Sequence, residues 1–358
     1  MITTVNPDNE RFKTFISMNI YVDKTLIIKK LNDLVNNDER NKICVSRPRR
    51  FGKTITTNLL VAYYSCGCDS RELFENTKLS KVEGWDKYLN KFNVIKLDIQ
   101  GIYGFANETN TDFISKFKEI VIGDLIKQFP NIKGLNENKS LGENILLVYK
   151  YTNRKFVIIM DEYDVLVREQ TDDKVLQDYL KLLTTLFKNE LIVEAFALVY
   201  LTGIFPIIKD KIQSKLNNFL EFTVTSPRDF AGFIGFTENE VKDLCDKYNM
   251  DFNECKNWYD GYKMGINNSI YNPCSVIRAM MAHEFADYWS STGSFESISD
   301  YLKFNIEGIY DDISSMVRDN SKIVVNVSEF LNRIDNLRTK DDILTYLINI
   351  GYLAYDEE

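Results

Sequence analysis

The sequence predicts an α/β fold with a parallel five-stranded sheet flanked by helices. Short apolar runs bounded by turn residues recur as far as residue 225, and longer segments with apolar residues at three- and four-residue spacing lie between them. That alternation marks strand–helix–strand units with right-handed crossovers. The expected strands are Lys42–Ser46, Val94–Asp98, Phe156–Met160, Ala195–Leu201 and Phe219–Val224. The expected helices include Thr54–Tyr64, Asp112–Phe129 and Asp173–Asn189.

Composition agrees with an ordered, globular chain. Its 358 residues are 44% hydrophobic and 13% aromatic with only 6 Pro and 16 Gly, which excludes collagenous, linker-like and disordered classes. Past about Ser226 the strand runs stop and helical patterns take over, broken by GFIGFTENEV, YDGYKMG and YNPCSV. The expected organisation is therefore an N-terminal segment (1–40) packing on a core (41–225), then a helical lid-like region (226–300) and a winged-helix-like C-terminal region (301–358). In the last of these, VSEFLNRI reads as a helix, Thr339 with Asp342 as the capping box of a second, and GYLAYD as a closing strand.

Charge and cysteine usage narrow the function classes. Forty-four Lys plus Arg against 52 Asp plus Glu give a net charge of -8, so no global field draws the chain to nucleic acid or anionic lipid, and any polyanion site must be local. No window approaches the roughly 20 apolar residues of a membrane span, and no leader is visible, so the expectation is an intracellular, cytoplasmic protein. Six scattered cysteines lack zinc-site spacing, and the single His283 leaves little for Ser/His, Cys/His or poly-His metal chemistry.

The most informative stretch joins the first strand to the first long helix: Ser46-Arg47-Pro48-Arg49-Arg50-Phe51-Gly52-Lys53-Thr54. A phosphate loop needs a glycine where amides turn inward, a lysine for the terminal phosphates and a hydroxyl for magnesium at a helix N-terminus. Gly52, Lys53 and Thr54 supply these, followed by Ile55 in the first turn. Arg47 stands where the usual pattern opens with glycine, so the turn is built around a side chain; Arg49, Arg50 and Phe51 fill the rest, the two arginines adding positive charge. The strand Phe156–Met160 ends in Asp161 and Glu162, an order that suits a magnesium aspartate followed by a glutamate that polarises water. Thr202, at the end of the fourth strand, is a candidate sensor of the terminal phosphate or, alternatively, a strand-ending Thr before a glycine turn. Asp98 reads more readily as a cap than as a magnesium neighbour.

With these residues in view, the chain resembles the predicted AAA-ATPase-like family of P-loop ATPases, many of which carry a C-terminal nuclease-like domain of the PD-(D/E)XK type. The similarity runs nearly end to end, through YVDKT (Tyr21–Thr25), SRPRRFGKT, IIMDEYD, LTGI, LNN (Leu216–Asn218), GFTE, WYDGY (Trp258–Tyr262), YNP and Tyr288-Trp289. It implies ATP binding and hydrolysis with Mg2+ and a sheet of the ASCE/AAA-like type, with the first strand between the fourth and fifth. Relatives usually continue past GYL into the nuclease-like domain, so no nuclease activity is expected of this chain; a fragment, a truncated gene and a stand-alone ATPase stay open. In related ATPases the region before the first strand packs on the base, which makes Tyr21 and Asp23 candidates for an adenine pocket; a core anchor and a helix cap are the equal alternative. Arg228 and Arg278 are candidate arginine fingers, although a solvated surface partner of acids is the readier reading of each.

The leading expectation is an ATPase whose turnover drives a conformational change, with self-association or a protein partner open. The alternative is a STAND-like regulatory module that holds nucleotide and turns it over slowly. Phosphotransfer to a small acceptor is disfavoured by the adjacent Asp161–Glu162 pair. A nucleic-acid partner lacks support from charge, since Asp335, Asp341 and Asp342 share the tail with its basic residues.

Overall fold

In a computed structural model, residues 3–169, 171–207, 216–265, 269–289, 306–331 and 337–356 are described. The chain separates into two compact units. The first holds residues up to Val45, Gly52–Ile207 and on to Phe222; the second holds Ser46–Phe51 and the chain from Thr223 onward.

The first unit is built on a parallel sheet of five strands: β1 (Lys42–Ser46), β2 (Asn93–Asp98), β3 (Phe156–Asp161), β4 (Phe196–Gly203) and β5 (Leu220–Phe222). Their order is β2-β3-β4-β1-β5, so β1 lies between β4 and β5. Every residue of β1, β3 and β4 is buried, as a sheet covered on both faces requires. One cluster joins Ile158 and Met160 of β3 to Phe117, Val121, Ile145 and Leu186 from three helices, Phe113–Gln128, Leu141–Thr152 and Asp173–Lys188. The helix Lys53–Tyr64 packs on β2 and β3.

Side-chain chemistry sets the element ends. Asp112 caps the helix Phe113–Gln128 by accepting from Ser115 N–H, and Ser140 with Glu143 forms a capping box on Leu141–Thr152. β5 is three residues long, where six were expected. Thr223 Oγ1 accepts from Ser226 N–H at 2.9 Å and Thr223 N–H donates to Ser226 O at 3.1 Å, a turn that ends pairing at Phe222.

At the sheet edge, β2 does not present a bare row of backbone groups. Val5 bridges Ile95 in the antiparallel sense, Lys96 N–H donates to Thr4 O at 2.8 Å, and Asn6 N–H donates to Val94 O at 2.7 Å. The Asn6 side chain completes the cover by accepting from Val94 N–H at 2.8 Å. Such cover blocks edge-to-edge association.

In the second unit short strands resume among the helical segments, where the sequence reading had the strand runs stop past Ser226 apart from a closing GYLAYD strand. β6 (Phe236–Thr237), β7 (Tyr262–Lys263) and β8 (Ser269–Tyr271) form an antiparallel sheet in the order β6-β8-β7. Two- and three-residue strands are too short to display a period of two, which is why the sequence hid them. Its α-helices among the described residues are Glu238–Tyr248, Phe252–Tyr259, Pro273–Ala282, Ile309–Asp319 and Lys340–Ile350. The last begins with the Thr339/Asp342 capping box read from the sequence. Val327–Leu331 is turn and irregular backbone instead of helix, and the rest of that expected helix, 332–334, lies outside the described residues. GYLAYD forms no strand in its described part: Gly351 takes φ +92° and ends the preceding helix, and Tyr262 Oη donates to its carbonyl at 2.6 Å. Among the described residues no helix is long and apolar enough to cross a membrane.

Replacing Asn6 by Ala should leave the buried Val94 N–H unpaired and cost about 1–3 kcal/mol. Urea unfolding measures the loss, and light scattering should show more self-association of the variant as the β2 edge opens.

Candidate functional site

In the first unit, polar groups gather where β3 ends and the helix Lys53–Tyr64 begins. Gly52 caps that helix with φ +89°, and a Cβ there would meet nothing within 4 Å, so backbone conformation and not space calls for glycine. Lys53 is buried at 4% exposure, whereas Thr54 and Ile55 are exposed. Burial lowers the Lys53 pKa, opposed by Glu162, Asp164 and Asp161. Its Nζ lies 3.9 Å from Glu162 Oε1.

Three carboxylates follow one another at the end of β3, and each is held differently. Asp161 is buried; among the described residues its Oδ1 has no hydrogen-bond partner, and its Oδ2 accepts from Thr57 Oγ1 at 3.4 Å. Even that hydroxyl has a nearer acceptor, Thr54 O at 2.9 Å. Burial raises the Asp161 pKa, with the Thr54 hydroxyl and Lys53 among the groups opposing it.

Glu162 occupies the left-handed region at φ +53°, which costs a non-glycine residue about 1 kcal/mol. The surrounding turn enforces it. Tyr163 N–H donates to Thr202 O at 3.1 Å, Tyr163 Oη donates to Phe205 O at 2.9 Å, and Tyr179 Oη donates to Tyr163 O at 3.0 Å. Glu162 Oε2 is paired with Arg168 Nη2 at 2.5 Å.

Asp164 is fully buried, and its Oδ2 accepts from the N–H groups of Ile204 (2.9 Å) and Phe205 (2.8 Å). Burial raises its pKa, while Arg168 and the Phe205 amide oppose the rise. Gly203 makes room for it: a Cβ there would stand 2.4 Å from Asp164 Oδ1 and 3.0 Å from Tyr163 Cδ1.

Among the expected site residues of this unit, Lys53, Thr54, Asp161 and Glu162 come together. Thr202 does not bring its hydroxyl to them, since Oγ1 donates to Val45 O at 2.9 Å and ties β4 to β1. Asp98 caps the helix Ile99–Glu108 by accepting from Gly101 N–H, as the sequence suggested. Asp23 accepts from Thr25 N–H and Oγ1 through one oxygen and from Lys78 N–H through the other. Tyr21 lies edge-on to Phe12, and burial together with Asp23 raises its pKa. Asp164 and Arg168 were not anticipated. The available signal was their i, i+4 spacing directly after an acid-ended strand.

In the second unit, the loop residues Ser46–Phe51 lie among the motifs that had no chemical account in the sequence. Arg47 is fully buried and donates from Nη1 to Ser46 O (2.7 Å) and from Nη2 to Phe230 O (3.1 Å), so a guanidinium braces the turn that usually relies on glycine. Phe51 meets Tyr262 of WYDGY edge-on at 5.0 Å. Asn272 of YNP donates to Arg49 O at 3.3 Å and also caps the helix Pro273–Ala282. A Cβ on Gly351 would come within 2.8 Å of Pro48. Arg49 and Arg50 are exposed, Arg50 at φ +68° with Nη1 3.7 Å from Cys274 Sγ. Arg228 and Arg278 are exposed, and His283 ends a helix in the left-handed conformation.

A parallel sheet with β1 between β4 and β5, a glycine–lysine–threonine helix start and an acid-ended β3 define a P-loop nucleoside-triphosphatase fold. The chain belongs to the predicted AAA-ATPase family, whose model matches residues 9–213. That membership supports nucleotide binding at a coarse level. Among solved structures, the chain is similar to one of Drosophila ORC bound to DNA, with 10% identity, a TM-score of 0.33 and coverage of 98% of this chain and 79% of that one. It is also similar to C. elegans PCH-2, with 10% identity, a TM-score of 0.28 and coverage of 92% and 66%. No curated protein matches.

Gly203→Ala should drive a methyl group into Asp164 and destabilise the fold by about 1–3 kcal/mol, the range for overpacking a filled site. Thermal unfolding monitored by circular dichroism should give a lower Tm than for the unaltered chain.

Proposed function

We propose that the chain binds ATP with a divalent cation and hydrolyses it. The observation that carries this reading is Asp161, a buried carboxylate with one oxygen that has no hydrogen-bond partner among the described residues. A buried carboxylate is costly unless paired or bound to a metal. The exposed Thr54 hydroxyl and Asp161 are oxygen donors suited to Mg2+. Among the described residues no group of three or more His, Cys, Asp or Glu side chains gathers to hold a metal. Such a sparse set agrees with the magnesium habit of taking most ligands from water and phosphate.

In this reading the N–H groups of Gly52 to Ile55 face the phosphates at the helix start, and Lys53 holds the terminal phosphate. Glu162 orients the attacking water and takes its proton as the bond from the terminal phosphorus to the bridging oxygen breaks, giving ADP and phosphate. Bound magnesium would neutralise charge developing on the phosphate oxygens. Thr202, Tyr21 and Asp23 have no role in this scheme.

The second reading, a nucleotide-holding regulator with slow turnover, is favoured by one observation. Both oxygens of Glu162 face cations, Lys53 at 3.9 Å and Arg168 at 2.5 Å, which leaves the base poorly placed to take a proton.

Lys53→Ala should abolish ATP binding in a calorimetric titration with Mg2+, and Glu162→Gln should keep binding while lowering kcat by about 10²-fold or more. Unchanged turnover in Glu162→Gln would remove the glutamate from the mechanism; no binding by the unaltered chain would overturn the nucleotide reading. Binding should also weaken on acidification. The Asp161 pKa lies above the usual 3.8, and cation binding needs the deprotonated form, so affinity falls as pH drops through the raised value. In the ligand-free chain the sign is opposite: the raised pKa favours the fold at low pH, and that contribution is lost as pH rises through it. Calorimetry in buffers of different ionisation enthalpy reads the proton release.

A further inference from the structure

Arg168 stands between two acids of unequal need. Its side chain is nine-tenths buried, with Nη2 on Glu162 Oε2 at 2.5 Å and Nε 3.5 Å from Asp164 Oδ2. The second separation is an ion pair but too long for a hydrogen bond, and among the described residues Arg168 Nε has no hydrogen-bond partner. Asp164 meanwhile keeps Oδ1 buried and unpartnered, although Oδ2 takes two backbone N–H groups. A carboxylate with a vacant buried oxygen therefore lies beside a guanidinium whose strong contact is elsewhere. Moving Arg168 from Glu162 toward Asp164 would tighten the 3.5 Å pair into a charge-assisted hydrogen bond without stranding the arginine's charge, so the arginine has a second acid seat within reach.

We infer that Arg168 is a latch on the general base: on Glu162 it blocks hydrolysis, and on Asp164 it releases the carboxylate to water. The inference rests on the hydrolytic reading above and adds its control. Two features carry the device. The carboxylate of Glu162 is spanned by two cations, so binding ATP, which draws Lys53 onto phosphate, removes one of its two partners and leaves Arg168 as the remaining restraint. The frame around Glu162 is fixed by the hydrogen bonds of Tyr163 and Tyr179, so the moving part is the arginine side chain at the end of the one-turn helix Val165–Arg168. Arg168 is thus a positioning residue whose default position restrains the reaction. A low basal turnover follows, as does acceleration by whatever stabilises the Asp164 seat.

The test is steady-state hydrolysis and ATP affinity on the full chain, with four proteins. Arg168→Gln should raise kcat by about tenfold, a modest part of the 10²–10⁴ that a positioned base contributes, with ATP affinity unchanged. Asp164→Asn should lower kcat at unchanged affinity, because the alternative seat loses its charge. The double variant should match Arg168→Gln, since without the arginine the second seat has nothing to hold. A fall in kcat for Arg168→Gln with ATP still bound would overturn the latch and make Arg168 a supporter of the reaction. A rise for Asp164→Asn would do the same, and serves if Arg168→Gln fails to fold. Loss of ATP binding by the unaltered chain is a different result, which removes the nucleotide reading and the latch with it.

Discussion

Packing three carboxylates within four residues, Asp161 and Asp164 buried and Glu162 half-buried, is the constraint to which this site answers. Asp161, Glu162 and Asp164 cannot all lose water unless something replaces it, and the replacements differ: two backbone amides for Asp164, two cations for Glu162, almost nothing for Asp161. Other local features follow from those needs. Gly203 has no side chain because Asp164 fills the space, Glu162 takes a backbone conformation it would otherwise avoid, and Tyr163 and Tyr179 place their hydroxyls on carbonyls that fix the turn. Backbone strain at Glu162 and unmet hydrogen bonds at Asp161 and Asp164 thus meet at the end of β3.

The sheet was legible because its strands are buried on both faces and read as unbroken apolar runs, and because the helices between them keep a clean period of about 3.6 residues. Legibility failed where structure depends on partners distant in the chain. β6, β7 and β8 are defined by one another and carry no pattern of their own. A Thr at the end of β4 looks the same whether it senses a ligand or, as Thr202 does, donates to the neighbouring strand. Asp23 could be read as pocket or cap, and it is the fold that gives it Thr25 and, from far along the chain, Lys78 N–H as donors.

The chemical centre divides in the same way. Lys53, Thr54, Asp161 and Glu162 could be proposed from spacing because phosphate and magnesium chemistry would fix both residue type and order. Arg168 could not, because an arginine six residues after a glutamate is unremarkable until the turn between them folds the two together. Arg47 was read as a departure from the glycine pattern. Its guanidinium shows how the departure is tolerated, with one arm on its own neighbour and the other on Phe230.

The grouping of Ser46–Phe51 with the second unit makes that unit discontinuous in sequence, with most of the first unit inserted into it. Synthesis on the ribosome proceeds from the N-terminus, so these six residues emerge long before Phe230, Tyr262, Asn272 and Gly351, their packing partners. The loop must wait, unsupported, through the making of nearly the whole chain. Its contacts are among the most non-local in the molecule and so among the slowest to be rewarded in folding. A nascent or C-terminally shortened chain would therefore carry the lysine and threonine of the helix start without the packing that shapes the residues before them.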